Sequence, residues 1–412
     1  MQYGCIGEHL KHSFSKEIHN SLADYDYEIR EIPREGVPEF MKKRDFTAIN
    51  VTIPYKEEVL PYMYYLDTVA REIGAVNTVV KRDGLLYGYN TDFYGMSELF
   101  RHAGVTAEGK KCAILGTGGT AKTARAVARA LGAREIITVS RREGRGAVSY
   151  SELYESHSDT EVIINTTPVG MYPNIFDSPV ELSRFPRLSG VIDAVYNPLC
   201  TPLVLEAKRL GIPAEGGLYM LVMQAVRASE FFLDTKYDAS VGDAIFGKIR
   251  QEKENIVLIG MPASGKSTVG RILSDRLQKK LIDTDELIVE REGKSIPEIF
   301  ETVGEAGFRD IESSVIRDIA SVNDAVISTG GGAVLRDENV KALKENGRLY
   351  FIDRPLSALI PTSDRPTAST REAIEKRYHE RYGIYKASCD VHIDANRDAD
   401  GVADEIERNF RK

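Results

Sequence analysis

Short apolar runs alternate with polar, helix-like stretches along the whole chain, as strands alternate with helices. Before residue 95 the strand-like runs are Glu28–Ile32, Ala48–Ile53 and Val76–Lys81. Beyond it, buried strands are predicted in "KCAIL" (111–115), in "REIITVS", and at Val162–Asn165 and Val191–Ala194. Helices are predicted from the glycine turn of "GTGGTAKTARAVARALG" to Gly132 and over 217–233. This alternation predicts the α/β class with mostly parallel sheets.

The alternation stops once and then starts again. The segment "GKIRQEKEN" at 247–255 is charged and lacks apolar periodicity, so an inter-domain linker is predicted at 248–254. A new strand, glycine loop and helix begin at Asn255. With 412 residues, the chain is long enough for two or three domains of about 100–200 residues. The pattern therefore predicts that a separate α/β domain fills 255–412.

Composition and charge limit the cellular compartment and the kinds of partner that we expect. The formal net charge of −8 argues against bulk binding to nucleic acid or to an anionic membrane. No apolar run approaches the ~20 residues of a membrane span, and the first residues lack the apolar core of a signal peptide. The four scattered cysteines favour reduced thiols over disulfides or a metal site. We therefore expect a cytoplasmic protein whose partners are small molecules; the oligomeric state stays open.

The first glycine loop indicates a dinucleotide. In "ILGTGGTAKT", Gly116, Gly118 and Gly119 follow a predicted strand and open a helix, where small residues and free N–H groups admit a pyrophosphate. After the next strand, Ser140, Arg141 and Arg142 stand where a carboxylate usually binds an unphosphorylated ribose. Guanidinium groups suit a 2′-phosphate, so the sequence favours NADP over NAD. The alternative interpretation is a solvated basic turn.

Short polar side chains accumulate in the first hundred residues. They are Ser13, Ser15, Asn50, Thr52, Lys56, Asn77, Asn90, Thr91 and Asp92. Singly, each Ser or Asn is more often a cap or turn residue, and a lone Lys or Asp more often surface charge. Together they indicate a polyol site, in which Lys56 and Asp92 could act as a proton-transfer pair beside a hydride donor.

The motifs in this region resemble those of shikimate dehydrogenases. "HSFSKEIHN", "NVTIPYK", "GAVNT", "YNTD", "GTGGTAKT", "INTTPVGM", "DAVYNP" and "GGLYMLVMQA" occur in family order over roughly 1–247. The resemblance implies NADPH-dependent reduction of 3-dehydroshikimate to shikimate. It implies a substrate domain at 1–95, completed by about 219–247, and a Rossmann NADP-binding domain at 96–218.

The same resemblance assigns residues. It implies that Lys56 is catalytic, with Asp92 as its partner. The implied substrate-binding positions are Ser13, Ser15, Thr52, Asn77, Asp92, Tyr196 and Gln224, and Gly217 and Met220 fall where the nicotinamide end is held. Two residues depart from the family pattern. Lys16 replaces a proline, and Tyr219 replaces a glycine, which leads us to expect a bulky ring near the nicotinamide.

The second glycine loop indicates a nucleoside triphosphate. "GMPASGKST" places Gly260, Ser264, Gly265, Lys266, Ser267 and Thr268 between a predicted strand and a helix. In such a Walker A loop the backbone N–H groups cradle phosphate, the lysine reaches the β- and γ-phosphates, and the serine hydroxyl ligates Mg²⁺. The loop therefore predicts ATP or a related nucleotide but leaves the acceptor open.

Later residues of this half point to a small anionic acceptor. "DTD" projects Asp283 and Asp285 from the same side of an extended segment, so one can serve Mg²⁺ and the other an acceptor hydroxyl. Arg309, the triple glycine Gly330, Gly331 and Gly332, and then Arg365 and Arg381 follow. A single arginine is more often at the surface, but several at one pocket suit an anion. The absence of N-K-x-D makes a GTPase improbable.

This half resembles shikimate kinases over roughly 254–412. The resemblance implies that Lys266, Ser267 and Asp283 serve ATP and magnesium, and that Asp285 also takes the hydroxyl proton. Shikimate would be held by Asp285, Arg309, Gly330, Gly331, Gly332 and Arg381. Arg365 matches a lid arginine that meets the transferring phosphate. The lid "LIPTSDRPTAST" is short, and the arginine that usually stacks on adenine has no match.

Both halves together predict a bifunctional enzyme that makes the 3-hydroxyl of shikimate and then phosphorylates it. Three alternatives stay open. The first half could be a quinate or shikimate dehydrogenase that works oxidatively, although the Ser140–Arg142 turn argues against NAD. One module could be a catalytically silent regulatory domain, or the kinase could act on another small acid.

Overall fold

The computed structural model describes residues 1–412 except 9, 11–13, 143, 145, 361–369 and 412. The chain divides into two compact units, Met1–Arg250 and Gln251–Lys412. Each unit contains parallel sheet covered by helices, as the alternating pattern predicts. Among the described residues, none of the helices combines the length and the apolar character needed to cross a membrane.

The first sheet of the first unit is mixed. Its strands are β1 (Tyr3–Gly7), β2 (Tyr27–Glu31), β3 (Ala48–Val51), β4 (Tyr65–Leu66), β5 (Thr78–Arg82) and β6 (Leu85–Tyr89), in the order β2-β1-β3-β5-β6-β4. The helices α1 (Ser15–Leu22), α2 (Val37–Lys43) and α3 (Thr68–Ile73) connect them. β1 pairs in parallel with β2 and β3, whereas β5 pairs antiparallel with β3 and β6. The carboxyl ends of β1 and β3 therefore meet at one edge.

The second sheet of this unit is entirely parallel. Its strands are β7 (Lys111–Leu115), β8 (Glu135–Val139), β9 (Val162–Asn165), β10 (Gly190–Asp193) and β11 (Ala214–Glu215), in the order β11-β10-β9-β7-β8. The helices beside it are α5 (Gly119–Ala130), α6 (Tyr150–Ser156) and α7 (Pro202–Arg209). Because β7 lies between β9 and β8, the strand order reverses there, and open parallel sheets bind ligands at such a point.

Two helices join the two sheets. They are α4 (Thr91–His102) and α8 (Leu218–Leu233), and they pack closely at Gly95, where an added Cβ would lie 2.5 Å from the Met220 carbonyl oxygen. Both helices contribute to an apolar core that also contains residues of α1 and α5. The segment after α4 thus enters the second sheet, and α8 returns the chain to the first.

The predicted linker at 248–254 contains the boundary between the two units, and most of it is helical. Helix α9 (Ser240–Lys253) runs through it, and only Glu254 separates α9 from the next strand. Ile245, Phe246 and Ile249 of α9 are buried in the core that contains α8. Two of these apolar residues precede the charged segment at 247–255 and only one lies within it. The segment taken by itself therefore lacks the apolar periodicity that would have predicted the helix. The other domain boundaries remain predictions.

The second unit contains one five-stranded parallel sheet. Its strands are β12 (Asn255–Ile259), β13 (Lys280–Asp283), β14 (Ala325–Ser328), β15 (Gly347–Asp353) and β16 (Val391–Asp394), in the order β13-β14-β12-β15-β16. The helices are α10 (Lys266–Leu277), α11 (Thr284–Glu292), α12 (Ile296–Ile319), α13 (Asp337–Asn346), α14 (Arg371–Ser388) and α15 (Ala399–Phe410). Helix α12 is kinked at Gly304, where φ is 69°. The loops after β12, β13 and β14 meet at the carboxyl edge of the sheet.

Candidate active sites

Lys56 and Asp92 form a close ion pair in the first unit. Lys56 lies in the turn after β3, and its backbone carbonyl accepts a hydrogen bond from Val76 N at 2.8 Å. Asp92 lies in the first turn of α4, which Asn90 caps by accepting from Phe93 N at 3.2 Å. The Lys56 Nζ and Asp92 Oδ2 atoms are 2.5 Å apart, and the two side chains keep 15% and 10% of their surface exposed. An ammonium group is therefore fixed at the wall of the site, yet ligand can reach it.

A buried amide holds Asp92 from behind. Asn77 Nδ2 donates to Asp92 Oδ1 at 2.9 Å and to Thr91 Oγ1 at 3.0 Å, and Asn77 Oδ1 accepts from Thr91 N at 2.7 Å. Asn50 Nδ2 in turn donates to Thr78 Oγ1 at 3.1 Å. Asn90 and Thr91 thus have structural partners, which agrees with their interpretation as cap and turn residues. Asn77 fixes the carboxylate that pairs with Lys56.

The remaining predicted substrate residues of the first unit come from three further places in the chain. Ser15 begins α1, and Thr52 directly follows β3, where a Cβ on Gly7 would approach Thr52 Cγ2 to 2.6 Å. Gln224 on α8 is buried, and its Nε2 donates to Leu221 O at 2.8 Å. Ser13 lies outside the described residues.

Tyr196 reaches the same region from the second sheet. Its ring packs edge-on against Phe14 at 5.4 Å between ring centroids, next to Ser15. Burial raises the pKa of the Tyr196 hydroxyl, so it stays neutral and can act as a hydrogen-bond donor. Burial also raises the pKa of the Cys5 thiol to about 12, while the charges of Lys56 and Asp92 act on it in opposite directions. Cys5 is thus an inert thiol beneath the ion pair.

The first glycine loop leaves space for a pyrophosphate. Gly116 follows β7 with φ at 112°, and an added Cβ would approach Thr166 Oγ1 to 2.8 Å. Gly118 caps α5 and Gly119 begins it, and an added Cβ on either would meet no atom within 4 Å. The amino end of α5 therefore faces open space with free N–H groups, which suits an anion. Residues of this type and placement fit NADP.

The basic turn follows β8, the edge strand beside β7. Arg141 and Arg142 are exposed, and Arg142 N donates to Ser140 Oγ at 3.1 Å. This end of the sheet is where the adenosine ribose lies in dinucleotide-binding folds. The exposed guanidinium groups are consequently available to a 2′-phosphate.

The amino end of α8 lies at the carboxyl edge of the second sheet. Gly217 N donates to Val195 O at 2.7 Å, and an added Cβ on Gly217 would fall on the Ala194 carbonyl. Met220 follows one turn later and is nearly buried. The side chain of Tyr219 is 1% exposed and stacks on His102 at 3.9 Å. The Tyr219 ring is thus packed against α4, and its expected place near the nicotinamide stays a prediction.

Sequence analysis did not identify a buried carboxyl group at this edge of the sheet. Asp193 ends β10 and is fully buried, with Oδ1 accepting from Asn165 Nδ2 at 2.9 Å and from Val195 N at 3.0 Å. Its Oδ2 accepts from Thr201 Oγ1 at 2.7 Å. Burial raises the pKa of Asp193 to about 7 despite these three donors. The only sequence signal was an aspartate at the end of an apolar strand.

Two glycines give the phosphate loop of the second unit its backbone conformation. Gly260 has φ at 151°, and an added Cβ would lie 2.8 Å from Ile352 O; Gly265 caps α10 with φ at 94°. Lys266 begins α10, and its Nζ donates to Gly260 O and Met261 O at 2.9 Å each. Ser264 Oγ is buried and has no hydrogen-bond partner among the described residues, and Thr268 lies in the first turn of α10. The Lys266 side chain thus lies against the backbone of the phosphate loop.

Hard oxygen ligands stand beside this loop. Ser267 Oγ donates to Asp283 Oδ2 at 2.8 Å and lies 3.3 Å from Ser328 Oγ. Asp283 also caps α11, since its Oδ1 accepts from Asp285 N at 3.0 Å. No group of three or more His, Cys, Asp or Glu residues that could hold a metal occurs among the described residues. One carboxylate and one hydroxyl fit Mg²⁺, which usually takes few protein ligands and completes its shell with water and phosphate.

A pocket opens next to these residues. Its lining includes Pro262, Asp285, Ile296, Phe300, Phe308, Arg309, Glu312, Gly330, Gly331, Gly332 and Arg381. Neighbouring atoms leave no room for a Cβ at any of the three glycines. A Cβ on Gly330 would lie 2.6 Å from Asp285 Oδ1, a Cβ on Gly331 would lie 2.8 Å from Pro262 Cδ, and a Cβ on Gly332 would fall on the Arg309 guanidinium.

Buried charges line this pocket. Arg309 Nη1 donates to Glu312 Oε2 at 2.6 Å, and Arg381 Nη1 donates to Gly331 O at 3.1 Å. Glu305 Oε1 lies 3.5 Å from Arg309 Nη2 and 3.8 Å from Arg381 Nη2. Burial raises the pKa of Glu312, whereas the charge of Arg309 lowers it. Sequence analysis did not single out Glu312, although its spacing of three from Arg309 on a helix predicts contact.

The structure thus brings together every described kinase residue that the sequence proposed. Arg365 lies outside the described residues, as does most of the short lid. The described residues of this unit form a phosphate loop, a hydroxyl and a carboxylate suited to Mg²⁺, and a pocket suited to an anion.

Comparisons with known proteins agree with this geometry. The family model of the shikimate dehydrogenase substrate binding domain matches residues 5–79, and that of shikimate kinase matches residues 262–411. The shikimate dehydrogenase (NADP(+)) of Clostridium perfringens is 36% identical over 266 residues, covering 60% of this chain and 98% of that protein.

Solved structures extend the likeness of the first unit. Shikimate dehydrogenase 1 from Peptoclostridium difficile is 35% identical, with a TM-score of 0.56 over 60% of this chain and 98% of that one. A chorismate mutase/shikimate 5-dehydrogenase fusion protein from Clostridium acetobutylicum is 34% identical, with a TM-score of 0.57 over 60% of this chain and 97% of that one. The chain therefore belongs to the shikimate dehydrogenase family in its amino-terminal part and carries a shikimate kinase domain after it.

Proposed function

We propose that this protein catalyses two consecutive steps of aromatic amino acid biosynthesis. The first unit reduces 3-dehydroshikimate to shikimate with NADPH, and the second phosphorylates shikimate to shikimate 3-phosphate with ATP. The observation that carries the proposal is that each unit holds its own set of reactive groups. The first unit holds the Lys56–Asp92 pair and a glycine loop of the dinucleotide-binding type, and the second holds the Asp285–Arg309 pocket beside a phosphate loop.

In the first unit, Lys56 acts as the proton donor. When bound, NADPH supplies the hydride that reduces the carbonyl carbon. The Lys56 ammonium donates a proton to the carbonyl oxygen as negative charge develops there, and Asp92, 2.5 Å away, keeps the ammonium oriented. Asn77 holds the far oxygen of Asp92 at 2.9 Å, so the pair cannot rotate freely.

The hydroxyl and carboxylate groups of this substrate need several hydrogen-bonding partners. We assign that role to Ser13, Ser15, Thr52, Asn77, Asp92, Tyr196 and Gln224. Gly217 and Met220 would border the nicotinamide, and Gly116, Gly118 and Gly119 the pyrophosphate. A protonated Tyr196 hydroxyl can donate to a substrate oxygen, since its pKa is raised.

In the second unit, Asp285 acts as the base. Its carboxylate accepts the proton of the 3-hydroxyl as that oxygen attacks the γ-phosphorus of ATP, and ADP leaves. Arg309 and Arg381 bind the carboxylate of shikimate, while the backbone of Gly330, Gly331 and Gly332 approaches the ring. Glu312 positions Arg309 through the 2.6 Å hydrogen bond.

The phosphate side of this unit uses the Walker A loop. When bound, ATP with Mg²⁺ supplies the phosphoryl group and neutralises charge on it. Lys266 would leave the Gly260 and Met261 carbonyls for the phosphates, and Ser267 and Asp283 would hold the metal. Gly260, Ser264, Gly265 and Thr268 complete the loop, and we assign Arg365 to the transferring phosphoryl group.

Cofactor preference separates this proposal from an oxidative quinate enzyme. The exposed Arg141 and Arg142 favour a 2′-phosphorylated ribose, and a related structure from Thermus thermophilus was solved in complex with NADP(H) and shikimate at 28% identity and a TM-score of 0.55. That likeness covers 60% of this chain and 99% of the other. Two intact sites likewise argue against a silent regulatory module. We further propose a cytoplasmic location and small-molecule partners without nucleic acid or membrane.

One incubation tests the whole proposal. Purified protein receives 3-dehydroshikimate, NADPH, ATP and Mg²⁺, and products are followed by chromatography with mass detection. We expect shikimate to appear without ATP and shikimate 3-phosphate to appear with it. A control with quinate and NAD measures the oxidative alternative. Failure to form shikimate 3-phosphate from 3-dehydroshikimate would refute the bifunctional assignment.

A further inference from the structure

The amino end of α8 is held by two elements that border the proposed dehydrogenase site. Gly217 N donates to Val195 O at 2.7 Å, at the carboxyl edge of the second sheet. One turn later, the Met220 carbonyl oxygen lies 2.5 Å from the position of an added Cβ on Gly95, which is three residues beyond Asp92. The backbone between Gly217 and Met220 therefore sets the distance between the dinucleotide edge and the helix that carries Asp92.

Tyr219 adds a third anchor between these contacts. Its ring stacks on His102 at 3.9 Å and meets Phe246 edge-on at 5.2 Å. Its hydroxyl donates to Asp243 Oδ1 at 2.7 Å and accepts from Arg101 Nη2 at 3.2 Å. Asp243 and Phe246 belong to α9, so one buried side chain ties α8 to both α4 and α9.

Helix α9 is well placed to serve as a fixed support. Ile245, Phe246 and Ile249 are buried in the core that contains α8, so the helix is docked and not merely a connecting segment. Its residues up to Arg250 belong to the first unit, and it continues through Gln251 to Lys253. The segment that joins the two enzymes is thus also part of the dehydrogenase.

We propose that Tyr219 is a positioning residue of the dehydrogenase, through which α9 fixes the amino end of α8 and so the placement of Gly217 and Met220 at the cofactor. The inference rests on the proposed function, because that function places these two residues at the nicotinamide. Loss of the hydroxyl bonds releases the first turn of α8 while the ring still fills its space. We therefore expect weaker NADPH binding, not loss of the fold.

Three variants of the full chain test this role. Tyr219→Phe removes both hydroxyl bonds, and Asp243→Ala removes the acceptor, so each should raise the KM and Kd for NADPH at least about threefold. Asp243→Asn retains an acceptor oxygen and should restore values near wild type. Shikimate phosphorylation by the same molecules should stay unchanged, which reports on folding and concentration.

Tyr237→Phe is the matched control. Its hydroxyl pairs with Ser229 Oγ at 2.8 Å, also on α8 but near the opposite end, so NADPH binding should not change. NADPH Kd is measured by nucleotide fluorescence, and melting temperature by differential scanning calorimetry. If Tyr219→Phe and Asp243→Ala lower the melting temperature but leave NADPH KM and Kd within about twofold, Tyr219 is only structural and the inference fails. A wild-type chain that binds NADPH but does not reduce 3-dehydroshikimate would instead overturn the proposed function.

Discussion

Replacing Gly330 by alanine perturbs the kinase pocket through a single methyl group. The new Cβ would lie 2.6 Å from Asp285 Oδ1 and 2.8 Å from Glu312 Oε1, whereas ordinary contacts of a Cβ begin at 3.4 Å. Glu312 is fully buried and held by Arg309 at 2.6 Å, so it has little freedom to retreat. Asp285, whose carboxylate faces the open pocket, must therefore move by about 0.8 Å, the shortfall from ordinary contact.

The size of the Asp285 displacement allows the loss in kcat to be predicted. Asp285 is proposed to accept the proton of the attacking hydroxyl, and such a base must lie within hydrogen-bond reach, about 2.6–3.2 Å. A misplacement of about 1 Å can reduce a rate by roughly 100-fold. We expect Gly330→Ala to lower kcat for shikimate phosphorylation by about 10- to 100-fold, because the shift is slightly smaller.

The assay follows ADP formation with shikimate as the varied substrate, and NADPH oxidation by the same preparation reports on the integrity of the chain. Gly383→Ala is the matched control, because a Cβ there meets no atom within 4 Å. ATP affinity should not change in either variant. In an Asp285→Asn background, Gly330→Ala should cause little further loss, since the two changes act on one group. The reasoning is refuted if Gly330→Ala keeps kcat within about twofold, or if its effect is undiminished in the Asp285→Asn background.

Further expectations concern each unit separately. Lys56→Ala should lower dehydrogenase kcat by about 100- to 10,000-fold and leave phosphorylation intact, because it removes only the proton donor. Lys266→Ala should do the reverse, and coupled assays of both activities in each variant would expose any shared site. Burial raises the pKa of Asp193 in the folded protein to about 7 from an ordinary value of 3.8, so its contribution to stability is full below about pH 4 and is lost as the pH rises to 7. Asp193→Asn should remove that loss, which is about 3 kcal/mol between pH 5 and pH 8 at about 1.36 kcal/mol per pH unit up to pH 7, in urea unfolding at the two pH values. The exposed Asp177→Asn should not remove it, and an unchanged pH slope in Asp193→Asn would contradict the burial argument.

The sequence determined the fold class and the position of both glycine loops. Gly116 and Gly260 stand at positive φ directly after strands β7 and β12, and glycine favours such a backbone. These are local requirements, met by residues within a few positions of one another, so spacing alone could express them. The polar residues of each site also follow strands or begin helices, which periodicity can locate.

Only the tertiary structure decided which side chains meet. Lys56 and Asp92 are 36 residues apart, and although the resemblance implied that they pair, their spacing alone does not indicate the 2.5 Å contact between them. Sequence analysis did not single out Glu312, which is fully buried, and it predicted a linker where the charged end of α9 belongs to a docked helix. Tyr219 was predicted to lie near the nicotinamide, and the structure shows that its ring packs between α4 and α9. The physical reason is the same in each case: a side chain's direction and burial depend on the elements packed against it, and those elements come from distant parts of the chain.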